Sequence, residues 1–246
     1  MSKIRNTPIK KRLSIIAAFL LALAIAPQLA QGQQPVPPER IAEFKQSLQK
    51  SQAQLRQYEW IETTTVSLKG EVKSQKQNRV YYGADGKLQK VAVGDSPAPQ
   101  EPQGRRGGRL KAKIVANKKE EMTDYMQRAV SLIHKYVPPE PGMIQFAKDN
   151  GKASFDVFEP NKVIRLSFKD IINIGDLMTA TLDIRSNAIL DINVSTYLES
   201  QQDAVILGVN FARLPDGTSY AGQTTLDAKA KNIKVVVENS GHRALN

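Results

Sequence analysis

Beyond residue 153 the chain breaks into seven short runs of alternating apolar and polar residues, separated by tight turns. The runs fall at 153–158, 162–168, 177–184, 188–198, 205–213, 218–226 and 233–237, with Ser186-Asn187 and Asp216-Gly217 as turn pairs between neighbours. Period-two alternation marks strands with one buried face. Connections this short cannot carry the crossovers that parallel strands need, so they predict an antiparallel meander. That one pattern excludes doubly wound α/β folds and helical bundles for half of the molecule.

The first half supplies fewer strands and two helices. Residues 39–57 place Ile41, Phe44, Leu48 and Leu55 about one face, the spacing of an amphipathic helix. Tyr58, Trp60, Thr64, Val66 and Leu68 then alternate with polar residues, and Glu62 is the one polar break on the apolar face. A strand near 78–82 and a return strand at 88–93 flank Asp85-Gly86, whose residue types suit a type I′ hairpin turn. Residues 94–109 hold three prolines and four glycines and almost no apolar side chains, which predicts a disordered or functional loop. A second helix is expected over 118–136, with Met122, Tyr125, Met126, Ala129, Ile133 and Tyr136 on one stripe and Glu120 and Glu121 in its first turn. Pro138-Pro139 and Pro141-Gly142 are expected to end it.

The amino terminus reads as an export signal. Lys3, Arg5, Lys10, Lys11 and Arg12 form a basic head, Leu13 to Ala26 is apolar, and Ala30-Gln31-Gly32 is a small-x-small cleavage site. The apolar run is about 14 residues, short of the roughly 20 a spanning helix needs. A cleaved signal peptide at 1–32, a flexible spacer at 33–38 and a single domain at 39–246 follow as expectations, with the mature chain free in the periplasm or secreted. The whole chain carries 35 Lys and Arg against 24 Asp and Glu. Five of the basic residues lie in the leader, leaving 30 against 24, so the high isoelectric point is no argument for a nucleic-acid partner. The chain has no cysteine, which rules out disulfides, thiolate metal sites, thiol nucleophiles and amino-terminal lipidation at cysteine. Stability must then come from the core, and about 214 residues suffice for one.

Little in the sequence suggests catalysis. His134 and His242 are the two histidines; the first is expected on the surface near a helix end, the second in a frayed terminus. There is no HExxH, GxSxG or glycine-rich phosphate loop. Asp183, Asp191 and Asp203 are the only acidic trio worth weighing, and the first two flank a hairpin turn. The expectation is a protein that is not an enzyme and that uses no cofactor or metal.

Helix, three strands, a long loop, a second helix and a long meander behind a leader: this order resembles the periplasmic lipoprotein-carrier superfamily of LolA and LolB. The stretches YEWIETTTVSLKG, VYYGADGKLQKV and ATLDIRSNAILDINV carry the resemblance. It implies an α+β, mostly β fold, a curved antiparallel half-barrel sheet with two covering amphipathic helices. It also implies an apolar cavity on the concave face, for which Trp60, Val66, Leu68, Leu166 and Leu182 are the candidate lining. The partner would be a lipid, a lipoprotein or an envelope protein. A second candidate is the basic cluster Arg105, Arg106, Arg109, Lys111 and Lys113, which offers an anionic docking surface for membrane head groups. The alternative reading is a protein–protein interaction module that uses that loop and the sheet edges, with its cavity filled by its own side chains.

Overall fold

The computed structural model describes residues 38–94, 108–137, 141–159 and 162–245. The proposed leader, nearly all of the spacer, and Arg105 and Arg106 lie outside the described residues.

Helix α1 (Pro38–Leu55) leads into strands β1 (Tyr58–Leu68), β2 (Glu71–Tyr82) and β3 (Leu88–Ala92). Two helices follow, α2 (Gly108–Tyr136) and α3 (Pro141–Asp149). The remaining strands are β4 (Ala153–Glu159), β5 (Val163–Lys169), β6 (Leu177–Asp183), β7 (Ala188–Tyr197), β8 (Ala204–Arg213), β9 (Ser219–Ala228) and β10 (Ile233–Ala244). All ten form one open sheet in the order β3-β2-β1-β10-β9-β8-β7-β6-β5-β4, and every pairing is antiparallel. The expected mostly-β antiparallel architecture is what the chain adopts.

This order explains the longest helix. The chain leaves the sheet at one edge, β3, and must re-enter at the other edge, β4. Nine inter-strand spacings of about 4.8 Å separate them, roughly 43 Å. The 29 residues of α2 rise about 1.5 Å each, which gives nearly the same length. Helix α2 is therefore the strut that carries the chain across the sheet. It runs over the strand ends marked by Asp176, Asp203 and Lys231.

Several sequence expectations need correction here. Helix α2 begins ten residues earlier than expected, so the 94–109 loop loses Gly108 and Arg109 to it. Arg109, Lys111 and Lys113 stand on helical backbone rather than on a flexible loop. Glu120 and Glu121 are consequently mid-helix, and Glu121 forms a 2.6 Å ion pair with Lys231. The prolines at 138–141 do not only end a helix. Pro141 starts a further short α-helix, α3, of nine residues. Proline fits a first helical position because the missing N–H would have had no partner there. Strand β10 also runs on to Ala244, past a register shift on its β1 pairing at which Gly241 adopts φ +62°. Positive φ there suits a residue without Cβ.

The core lies between α2 and one face of the sheet, the inner face. Tyr125, Ala129, Leu132, Ile133 and Tyr136 are buried along α2, at the three- and four-residue spacing that puts side chains on one stripe. Ala129, Leu132, Ile133 and Tyr136 pack over Ile164, Leu166, Phe168, Met178, Ala180, Leu182, Ile192 and Val194, while Tyr125 packs with Ala228 and Ile233. Helix α1 meets the opposite ends of the strands, where the backbone N–H of Ser219 donates to Ser51 Oγ at 3.2 Å. Among the described residues no helix is long and apolar enough to cross a membrane.

Candidate functional site

The inner face can be followed strand by strand through the registers. One row reads Val66, Val235, Leu226, Leu207, Val194, Met178, Phe168 and Ala153, apolar from β1 to β4. The neighbouring row reads Thr64, Val237, Thr224, Val209, Ile192, Ala180 and Leu166. Each row is continuous because the two-residue period keeps alternate side chains on one face across all strands.

Burial along these rows is not uniform. Under α2 and α3 the residues of β5, β6 and β7 are closed off: Leu166, Phe168, Met178, Ala180, Ile192 and Val194 are all buried. Toward β1 the same rows open. In the first row Leu207 and Leu226 are still buried and only Val235 and Val66 are partly exposed, whereas in the second Val209, Thr224, Val237 and Thr64 all are, as is Phe211. The face is chemically one surface, with a covered half and an uncovered half.

The five cavity candidates share this face but not one environment. Leu166 and Leu182 belong to the core under α2, with 3% and 0% exposure. Val66 and Leu68 lie at the open half and pack with Met122, Tyr125, Ala228 and Ile233. Trp60 keeps the same parity on β1 and pairs with Val80. Its indole N–H donates to Asn239 Oδ1 at 2.9 Å, and its ring stacks on His242 with centroids 5.6 Å apart. Tyr82 completes this side, 6.2 Å from Trp60. Glu62, the polar break, is neutralised by an ion pair with Lys90.

The residues that sequence reasoning missed are Val209, Phe211, Val235 and Val237. Alternation in IKVVVEN holds the last two on one face, but only the β1–β10 pairing brings them beside Val66. His242 was misread as frayed. It sits on β10 between Trp60 and Tyr220, whose ring is 4.0 Å away, and burial lowers its pKa below the ordinary value of 6.5. A histidine held neutral by the fold favours the native state above the unfolded pKa, and that contribution is lost as pH falls. Thermal stability is therefore expected to drop between pH 7.5 and 5.5, above the carboxylate range. A His242→Phe variant should show a smaller drop over the same window in a melting series.

The remaining candidates do not converge. Asp183 accepts the N–H groups of Arg185 and Ser186, Asp191 accepts from Asn193, and Asp203 takes the hydroxyl of Tyr125. Among the described residues no group of three His, Cys, Asp or Glu side chains could hold a metal ion. His134 is exposed in the last turn of α2. Between α2 and the loops after β5 and β7 lies an open groove of about 540 Å³, lined by Asp124, Arg128, Leu132, Lys135, Ile172 and Leu198 among others.

Among the described residues the most heavily bonded polar group is Asp176, 2% exposed at the end of the β5–β6 loop. Its carboxyl accepts the backbone N–H groups of Ile171, Ile172 and Asn173 at 2.8 to 2.9 Å and the hydroxyl of Tyr136 at 2.5 Å. Thr196 Oγ1 lies 2.7 Å from the Tyr136 oxygen. Burial, and then the bond to Asp176, push the Tyr136 pKa well up. This cluster fixes the carboxy-terminal end of α2 to the sheet.

Fold and site together define an open antiparallel sheet whose apolar face is crossed by one long helix and only half covered. No known protein family profile matches the chain. No curated protein matches it either. Among solved structures it aligns with a LolA superfamily protein from Nitrosomonas europaea, with 10% identity, 82% of this chain and 93% of that one covered, and a TM-score of 0.34. It also aligns with a DUF1329 family protein from Desulfovibrio piger, with 8% identity, 82% and 92% coverage, and a TM-score of 0.31.

Proposed function

We propose that this chain is a non-enzymatic binding protein of the cell envelope that holds an apolar or acyl-bearing ligand, a lipid or the lipid part of a lipoprotein. The ligand lies against the inner face over β8, β9, β10 and β1. One observation carries the reading: the second row, sealed under α2 at Leu166, Ala180 and Ile192, stays partly exposed at Val209, Thr224, Val237 and Thr64. Exposed apolar area of this kind is costly in water, and an alkyl chain laid on it recovers about 25 cal/mol per Å² removed from solvent. The threonines of the second row, Thr64 and Thr224, place hydroxyls within the same strip, where they suit the ester or amide end of an acyl group.

Titration with monomeric lysophospholipid, followed by calorimetry and by the emission of the single Trp60, tests this reading. Saturable binding is expected. A Val209→Gln/Val237→Gln variant should bind about tenfold more weakly, since lost apolar burial of about 1.4 kcal/mol is a factor of ten. A flat titration with the fold intact would overturn the proposal.

A further inference from the structure

We propose that the β5–β6 loop, together with the exposed side of α3, is a membrane-docking surface that seats on an anionic lipid bilayer. Ile174, at 82% exposure, is the most exposed large apolar side chain among the described residues. Ile172 on the same loop and Phe146 on α3 are exposed as well.

A flexible loop would fold these isoleucines onto the protein. This loop is fixed so that they cannot turn inward. Asp176 holds the N–H groups of Ile171, Ile172 and Asn173. Asp170 accepts the N–H of Gly175 at 2.6 Å, and the Asn173 amide donates to the carbonyl of Tyr197. The Tyr197 hydroxyl in turn donates to the carbonyl of Ile174 at 3.1 Å. These bonds fix the loop with Ile171 against the core, the Ile174 side chain in solvent and Ile172 exposed at the edge of the groove.

Phe146 is tied to the same surface. Lys152 donates to the carbonyl of Asp170 at 3.2 Å while its ammonium stands 5.4 Å from the Phe146 ring centroid. Lys135 lines the groove beside Ile172, and the exposed Lys169 ends β5 just before the loop. The nearest carboxyls are occupied: that of Asp176 is buried, that of Asp170 is bound to Gly175, and Asp149 at the end of α3 is itself engaged. Asp124 sits across the adjoining groove, beside Arg128 and Lys135. Separate apolar tips with lysines beside them match a bilayer interface. There, side chains enter between head groups while ammonium groups stay at the phosphates.

The absence of cysteine makes the test direct. Ile174→Cys in the full-length protein takes a single environment-sensitive fluorophore. With vesicles of phosphatidylethanolamine and phosphatidylglycerol, its emission should shift to the blue and the protein should co-sediment. Binding should weaken with salt and with replacement of phosphatidylglycerol by phosphatidylcholine. Ile172→Ser/Ile174→Ser should weaken partitioning by about tenfold or more without changing the melting temperature. Lys135→Gln/Lys169→Gln should flatten the salt dependence. A label that keeps its aqueous emission, or a double isoleucine variant that sediments as the parent does, would overturn the proposal. The surface variants leave the inner face untouched, so the Ile174 label and the Ile172→Ser/Ile174→Ser variant read the docking surface, while the lysophospholipid titration of the same variants reads the inner face, and the two proposals succeed or fail separately.

Discussion

Asp176→Ala lowers the stability of the fold by about 3 kcal/mol, the scale expected when a buried acidic partner is removed and its donors are left without acceptors. Three backbone N–H groups and the Tyr136 hydroxyl all lose their acceptor together. For a chain of this size the melting temperature should fall by roughly 6–12 °C. Tyr136→Phe removes one of the four donors and should cost less, about 1–2 kcal/mol. Asp176→Asn keeps an acceptor oxygen and should fall between the two. Calorimetric melts of the three variants rank these effects. Hydrogen exchange adds a local readout, because the amides of Ile171, Ile172 and Asn173 should exchange faster in Asp176→Ala than in Tyr136→Phe. An Asp176→Ala protein as stable as the parent would mean that water replaces the carboxyl at no cost and that the apolar stripe, with the Tyr125–Asp203, Glu121–Lys231 and Arg128–Glu199 contacts, is enough to hold α2.

Asp176 also shows what could not be read from the sequence. In DIINIGDLM it is one more acidic residue in a turn, and only the fold brings Tyr136 from forty residues away onto it. Periodicity worked where one face of a segment is buried and the other wet. The strands from β4 to β9, and the stripe on α2 from Tyr125 to Tyr136, lie within a residue or two of their expected places for that reason. It failed where neither face is buried. Glu71–Gln77 of β2 is polar on both faces, is exposed, and is a strand only because β1 pairs with it. It failed again at residues 108–117, where Gly108 and Arg109 read as the end of the loop and the helix was expected only from 118, although helix formers fill the stretch between. The demand for that helix comes from the distance between the two sheet edges, which no local window contains. The same limit applies to the site. Trp60, Val66 and Leu68 were legible on one face of β1, but their neighbours Val235 and Val237 arrive from the last strand.

The division of the inner face into a sealed and an open half predicts opposite responses to one kind of substitution. Leu182→Ala, at a fully buried position, should cost about 3–4 kcal/mol, the transfer energy plus the void left under α2. Val66→Ala, at a partly exposed position on the same face, should cost about 1 kcal/mol or less, because little packing is lost and water already reaches the site. Denaturant melts measure both. The affinity for lysophospholipid should reverse the order: Val66→Ala weakens binding, while Leu182→Ala leaves it near the parent value once the protein is folded. If both variants lost stability alike, the open half would be ordinary core. The Thr64, Val237 and Val209 strip would then have no room for an acyl chain. If stability and binding separate as expected, α2 divides the face in two, sealing the part that holds the fold together and leaving the rest for a ligand.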